Sequence, residues 1–161
     1  MEYVQFKGEK YISRNGSLDL SNLGIQNIRN IKHLDRLKDI KELDLSNNEI
    51  TKIKDLEPLS QLTTLNLSFN RIEEIKDFHS LTNLTYLFLY NNKITKISGV
   101  DSLVNLVELN LFDNQITKIE NISHFINLNR LYLGSNRIKV IEGLDYLENL
   151  KFLNIEKNFI T

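Results

Sequence analysis

The chain repeats itself every 22 residues, and this period constrains its fold more than any other feature. Five rows align without an insertion and begin at residues 40, 62, 84, 106 and 128. A partial row, "LKFLNIEKNFIT", follows from residue 150, and an earlier copy, which needs three extra residues, precedes them. One short repeat cannot bury its own apolar side chains, but stacked repeats bury them against each other. The period therefore predicts a solenoid of stacked coils.

Within each row the spacing of apolar residues changes from two to three. In "LTYLFLY" (84–90), Leu87 and Leu89 alternate with Tyr86 and Phe88, as side chains do along a β-strand. After the strand, apolar residues fall at every third position, which suits short 3₁₀-like turns. Each row is therefore predicted to form one strand and one return segment.

An asparagine recurs at one position of every row. A primary amide can donate and accept hydrogen bonds together, so stacked copies can satisfy backbone groups that are buried where each strand ends. We predict a structural asparagine ladder, broken in the first copy by Leu23. Its members are Asn48, Asn70, Asn92, Asn114, Asn136 and Asn158.

The pattern L-x-x-L-x-L-x-x-N-x-I, repeated over residues 18–161, resembles the leucine-rich repeat family. The resemblance implies an α/β-type repeat solenoid, a horseshoe with a parallel β-sheet on its concave face and short 3₁₀ or irregular segments on its convex face. Residues 17–161 would form about seven repeats, the last one partial. Residues 1–16 carry turn signals at Lys7-Gly8 and Asn15-Gly16, and are predicted to form an N-terminal cap, a β-hairpin.

In such a solenoid, the outward-facing strand residues line the concave face. Their aromatic members have two interpretations. Sheets favour Tyr and Phe, whose rings pack on each other; alternatively, an exposed aromatic patch with a polar surround is typical of a protein-binding hot spot. We favour the second interpretation. The predicted partner-binding residues are Asp44, Asn66, Tyr86, Phe88, Tyr90, Glu108, Asn110, Phe112, Arg130, Tyr132 and Phe152.

Two branches of the family share this row length. "LGSNRIKVIEGLDYLENL" and "LFDNQITKIENISHF" resemble the leucine-rich repeat regulatory subunit of type-1 protein phosphatase, which implies binding through acidic and aromatic mid-strand residues. Asp44, Phe88 and Tyr132 fit that series. The acids it expects are not supplied by Asn66, Asn110 and Asn154. The row is also similar to bacterial internalins, whose aromatic concave face grips host receptors.

Other classes of function have little support in the sequence. There is no cysteine, and the three histidines form no catalytic or metal-ligand pattern, so we expect no enzyme, no metal and no cofactor. A net charge of −1 gives no general attraction to nucleic acid or membranes, so neither is predicted as a partner. Without a signal-like or membrane-spanning apolar run, we expect an intracellular, cytoplasmic protein.

The leading hypothesis is therefore a protein–protein interaction module that binds a partner protein on its concave face, with a phosphatase-regulatory scaffold as its narrower form. A second hypothesis is a self-associating or truncated repeat array that makes contact through an uncapped, apolar C-terminal end. The third is a fragment of an internalin-like extracellular adhesin. The end residues behind the second hypothesis are Leu150, Leu153, Ile155 and Ile160.

Overall fold

Seven short parallel strands form one continuous sheet in a computed structural model that describes residues 3–161. Each strand pairs with the next one along the chain, in the order β3-β4-β5-β6-β7-β8-β9. The predicted leucine-rich repeat solenoid is thus confirmed. The strands are β3 Ser17–Asp19, β4 Glu42–Asp44, β5 Thr64–Asn66, β6 Tyr86–Phe88, β7 Glu108–Asn110, β8 Arg130–Tyr132 and β9 Phe152–Asn154.

The register between strands follows the 22-residue period. Leu65 lies opposite Leu43 on one side and Leu87 on the other, and all three side chains are buried. Alternate residues of each strand, such as Asn66 and Phe88, point to the other side of the sheet and stay partly accessible. A single column of leucines therefore runs through the stack, as the alternation predicts.

The core lies between the sheet and the return segments. We call one strand with its return segment a coil. After Asn48, the second coil continues with Ile50, Ile53, Leu56 and Leu59, none more than 1% exposed. Because each buried Leu or Ile contributes about 1.5–3 kcal/mol of transfer free energy, the stacked coils stabilise each other.

The return segments turn through hydrogen bonds between residues three apart. Leu59 N donates to Leu56 O (3.0 Å) and Leu62 N donates to Leu59 O (3.0 Å), with equivalent bonds in later coils. Such i to i+3 bonds are those of a 3₁₀ turn. Among the described residues, full 3₁₀ helices occur only in the first coil, at Ile28–Asn30 and Leu34–Arg36.

An antiparallel hairpin precedes the first coil. β1 (Tyr3–Phe6) pairs with β2 (Glu9–Ile12), and Gln5 exchanges backbone hydrogen bonds with Lys32 in the first return segment. Val4 and Phe6 are buried in the common core. The predicted cap spans residues 1–16, of which residues 1 and 2 lie outside the described part of the chain.

Helical structure in residues 3–161 is short, and none of it has the length and apolar character needed to cross a lipid bilayer.

Candidate functional site

The solvent-facing side of the seven-stranded sheet carries three columns of side chains, which we call the concave face. Strand register defines the first two columns, and the residue two positions after the second column belongs to the third. The first column is Ser17, Glu42, Thr64, Tyr86, Glu108, Arg130 and Phe152; the second is Asp19, Asp44, Asn66, Phe88, Asn110, Tyr132 and Asn154; the third is Ser21, Ser46, Ser68, Tyr90, Phe112, Gly134 and Glu156.

Six aromatic side chains of the concave face belong to the last four coils. Tyr86 and Phe152 are 36% and 45% exposed, and the other four are half-buried. The rings of Tyr132 and Phe152 lie 5.0 Å apart at an interplanar angle of 43°. All six rings are at least partly accessible, so together they form an aromatic surface on the solvent-facing side of the sheet. The six are Tyr86, Phe88, Tyr90, Phe112, Tyr132 and Phe152.

An ion pair lies within this aromatic surface. Arg130 Nε donates to Glu108 Oε2 at 2.6 Å, between residues that are register partners on β7 and β8. The side chain of Glu108 is only 13% exposed, whereas that of Arg130 is 42% exposed. The hydrogen bond and the negative charge of Glu108 raise the pKa of Arg130 above its ordinary value. The pair therefore adds no net charge where the aromatic side chains concentrate.

Gly134 makes room for one of the aromatic rings, and the sequence reasoning did not select it as a site residue. A methyl group at this position would lie 2.8 Å from Phe112 Cε2 and would also clash with Asn154 Oδ1. The ring of Phe112 can therefore extend over the neighbouring position 134 only because that residue has no side chain. The gap was visible in the sequence as one glycine in a column that is otherwise Ser, Tyr, Phe or Glu.

The recurring asparagines tie each coil to the one before it. In the fifth coil, Asn114 Nδ2 donates to Leu111 O (3.1 Å) within its own coil and to Leu89 O (3.0 Å) in the preceding one, while its Oδ1 accepts from Ile94 N (2.9 Å). The same bonds recur at 22-residue intervals. The six amides that form this ladder are Asn48, Asn70, Asn92, Asn114, Asn136 and Asn158.

Leu23 occupies the ladder position of the first coil. Asn48 of the second coil bonds the backbone of the first coil as the later amides bond the coils before them, and its Oδ1 accepts from Leu23 N as well as from Ile25 N, both at 3.0 Å. Asn48 also donates to Leu20 O at 2.9 Å. One amide thus serves the turn of the first coil and that of its own coil.

A second row of asparagines lies at the N-terminal ends of the strands, where the chain enters each strand. The amide Nδ2 groups of Asn83, Asn105, Asn127 and Asn149 donate to backbone carbonyls of the preceding coil at 2.7–3.3 Å. These residues line an open groove of about 650 Å³ that contains none of the aromatic residues of the concave face. The same 22-residue spacing in the sequence could have revealed this row, which our sequence reasoning missed.

Phe69 adds a further aromatic ring at the rim of the concave face. It follows Ser68 of the third column, and its ring lies 5.1 Å from that of Tyr90 at an angle of 80°. The side chain is 42% exposed. The aromatic surface therefore extends past the third column onto the turn that follows β5.

No cluster of three or more His, Cys, Asp or Glu side chains within residues 3–161 is placed to hold a metal ion. The predicted site residues lie together as three adjacent columns. What they offer chemically is a wide apolar and acidic surface.

A model of the family described as "Leucine Rich repeats (2 copies)" matches residues 38–78, 60–103 and 82–124, which together make up more than half of the chain. The chain belongs to the leucine-rich repeat family. No curated protein matches it in a comparison of sequences.

Several solved structures resemble the chain over most of its length. An internalin (inlF) from Listeria monocytogenes superposes with a TM-score of 0.81 at 30% identity, covering 90% of this chain and 42% of that protein. The LRR protein LIC12759 of Leptospira interrogans gives a TM-score of 0.72 at 32% identity and covers 78% and 33%. TLR13 in a TLR13–ssRNA13 complex gives 0.80 at 28% identity and covers 97% and 23%. The chain thus spans less than half the length of each of these three proteins.

Proposed function

We propose that this leucine-rich repeat chain is a protein–protein interaction module and that its concave face holds the partner. The observation that carries the proposal is the set of six aromatic side chains that share the solvent-facing side of one rigid sheet. Tyr and Phe supply large contact area at low conformational cost, and residues of this kind dominate binding energy at protein interfaces. The Glu108–Arg130 pair lies among the aromatic side chains without adding net charge, and Asn66, Asn110 and Asn154 supply polar groups beside them in the second column.

The leucines beneath the aromatic side chains make this surface separable from the core. Leu87 and Leu131 are fully buried, while Phe88 and Tyr132 on the alternate face are only half-buried. Truncating Phe88 and Tyr132 therefore removes contact area without opening a cavity in the core. Binding and stability are expected to respond differently to the same substitutions.

Affinity capture from the source organism tests the proposal. We expect the double variant Phe88→Ala, Tyr132→Ala to lose partners that the unmodified chain retains, with its melting temperature nearly unchanged. The matched control is Ile126→Ala with Tyr146→Ala, which removes apolar side chains that are 59% and 67% exposed on return segments. If both variants retain the same proteins, the concave face is not the binding surface. If the double concave variant unfolds, its aromatic side chains are structural.

A narrower form of this proposal is a phosphatase-regulatory scaffold. It draws on Asp44, Phe88 and Tyr132, which share the second column of the concave face. The solved structures described above come from an internalin, a Leptospira protein and TLR13, and they do not bear on this narrower form. Binding of purified type-1 phosphatase catalytic subunit, compared between the unmodified chain and the Phe88→Ala, Tyr132→Ala variant, would decide it.

Self-association is the second candidate function, favoured by the apolar side chains exposed around the last strand. Phe159 is 63% exposed, Val140 54%, Ile141 48% and Ile160 42%, and β9 has a strand neighbour on one side only. An apolar surface beside an unpaired strand edge favours association with another chain. Light scattering over a concentration series tests this, and a mass that stays monomeric at high concentration rejects it.

An extracellular adhesin is the third candidate, and the similarity to the Listeria internalin supports it. It differs from the leading proposal in cellular location and in the size of the protein. Reading the coding sequence that flanks this chain for an export signal tests it directly.

A further inference from the structure

We propose that the partner of the concave face is a basic protein segment, with lysine or arginine side chains on the first two coils and apolar side chains on the aromatic coils. This inference rests on the proposed function and specifies the chemistry of the partner. It follows from the charges on the concave face, which are independent of the aromatic side chains.

The concave face carries far more negative charge than the chain as a whole. Its three columns contain five carboxylates and one guanidinium, a net charge of −4, whereas the complete chain has a formal net charge of −1. The remaining surface is therefore net positive, and the acidity is specific to this side of the sheet. The charged residues of the face are Asp19, Glu42, Asp44, Glu108, Arg130 and Glu156.

The single cation of the face already has a partner. Arg130 is bound to Glu108, and none of the other four carboxylates forms an ion pair with any residue in the described range 3–161. Lys10 and Arg14 of the N-terminal segment line a shallow groove together with Asp19, but they lie beyond ion-pair distance. The face thus has unneutralised carboxylates that a cationic partner can satisfy.

Two of these carboxylates repel each other across the sheet. Asp19 and Asp44 are register partners on adjacent parallel strands, and like charges placed directly opposite destabilise a sheet. Their Oδ1 atoms accept from Ser21 N at 2.9 Å and from Ser46 N at 2.8 Å, which holds both carboxylates close to the backbone. A cationic side chain between the two would relieve the repulsion.

Three of the four unpaired carboxylates are separated from the aromatic side chains along the solenoid, whereas Glu156 lies on the last coil. Asp19, Glu42 and Asp44 lie on β3 and β4, the first aromatic side chains lie on β6, and β5 contributes only Thr64 and Asn66. Neighbouring strands lie about 4.8 Å apart, so the two parts are roughly 10–15 Å apart. At about 3.3 Å per residue, an extended segment would place its basic and apolar anchors some three to five residues apart.

Selection from a displayed library of random 16-residue peptides tests this inference. We expect the unmodified chain to select peptides that combine Lys or Arg with an aromatic or aliphatic anchor three to five residues away. For a synthetic selected peptide, the variant Asp19→Asn, Glu42→Gln, Asp44→Asn should raise Kd about tenfold at low salt and should flatten its salt dependence. Asparagine keeps the Oδ1 acceptor, so the turns after β3 and β4 are preserved.

The matched control removes the same kinds of charge from return segments, in the variant Asp39→Asn, Asp101→Asn, Glu148→Gln. These three side chains are exposed and form no ion pair among residues 3–161. Equal effects of the two triple variants, or selected peptides without excess positive charge, would overturn the inference while leaving the proposed function intact. Peptides that bind equally well to the Phe88→Ala, Tyr132→Ala variant would instead reject the proposed function.

A labelled single-stranded RNA of 20 nucleotides, chosen as a probe, completes the test. A face with net charge −4 should repel its phosphates, so we expect no binding at physiological salt. RNA binding that depends on Phe88 and Tyr132 would overturn the basic-protein inference in favour of a nucleic-acid partner.

A separate observation, the strained backbone of Phe69, supports a second inference. Its φ of 54° places it in the left-handed region, and the equivalent positions of the other coils with a ladder asparagine hold Asn47, Asn91, Asp113, Ser135 and Lys157. Asn and Asp tolerate this conformation, whereas a bulky side chain there is an outlier. Next to it, Ser68 is fully buried, and its Oγ has no hydrogen-bond partner within residues 3–161.

We infer that Phe69 is a binding anchor of the same face. The strained backbone of Phe69 and the unsatisfied hydroxyl of Ser68 both destabilise the fold. They are adjacent in the chain, at the point where the exposed ring of Phe69 contacts Tyr90. The ring extends the aromatic surface toward the acidic coils, because Phe69 belongs to the coil that separates them from β6.

The variants Phe69→Asn and Phe69→Gly test this role, because both residues suit a positive φ. We expect the urea midpoint to stay unchanged or to rise, while Kd for a peptide selected on the unmodified chain rises about threefold to tenfold, as for loss of one aromatic anchor. A structural role for Phe69 would produce the opposite pattern, a lowered midpoint with unchanged Kd in both variants. If Kd is unchanged in both variants while Phe88→Ala still weakens peptide binding, the inference about Phe69 is wrong and the proposed function of the concave face stands.

Discussion

Replacing Asn114 by alanine is expected to destabilise the chain by about 2–4 kcal/mol, and the hydrogen bonds show where this free energy comes from. The amide donates to Leu89 O, Leu111 O and Phe112 O, but each of these carbonyls also accepts from another donor. Within residues 3–161, Ile94 N has no acceptor other than Asn114 Oδ1. The substitution therefore leaves one buried N–H unpaired and weakens the bonding of three carbonyls.

An unpaired buried donor costs about 1–3 kcal/mol, and the three weakened carbonyls add a further fraction of a kcal/mol each. For a folded chain of this size, with a stability on the order of 10 kcal/mol, such a loss is a large share. It should also lower the melting temperature by roughly 2–4 °C per kcal/mol.

Urea denaturation followed by circular dichroism measures the difference, with Asn105→Ala as the matched control. Asn105 makes one exposed bond, from its Nδ2 to Thr82 O at 2.8 Å, so water can replace the lost donor. We expect the control to cost less than about 1 kcal/mol. Equal midpoints for the two variants would refute the reasoning that buried amides, and not asparagine as such, hold the coils together.

Three further predictions concern packing and charge. Gly134→Ala should displace the ring of Phe112 and cost about 1–3 kcal/mol, and an unchanged melting temperature would contradict the close packing at this position. Glu108→Gln should cost at most about 1 kcal/mol because its cationic partner is 42% exposed, and the cost should shrink in 1 M NaCl; a loss that salt leaves unchanged would argue against an ionic origin. Leu109→Ala should cost about 2–5 kcal/mol, because its side chain is fully buried, and more than Leu153→Ala, which removes a half-buried side chain; equal urea midpoints would contradict this order.

Much of the fold could be predicted because the 22-residue period is present in the amino-acid sequence itself. Once Leu65 and Leu87 lie 22 residues apart in identical contexts, stacking them buries both, and a shift by one residue would turn both toward water. The pairing of Glu108 with Arg130 followed from the same register. For the candidate site, the sequence predicted which residues share the concave face.

Other features of the site depend on how neighbouring coils approach each other. The sequence alone did not single out Gly134, because the need for space arises from the ring of Phe112 in the preceding coil. The exposure of Phe69 likewise depends on the left-handed backbone at that turn and on its contact with Tyr90.

Which side chains are buried and which are exposed follows from the amino-acid sequence, since a 22-residue period and strand alternation leave one register that buries the leucines. The shape and the electrostatics of the exposed face instead depend on contacts between coils. Side chains from successive coils meet there at about 4.8 Å spacing, where the bulk of one ring and the charge of one carboxylate act on a neighbour that is 22 or more residues away in the chain.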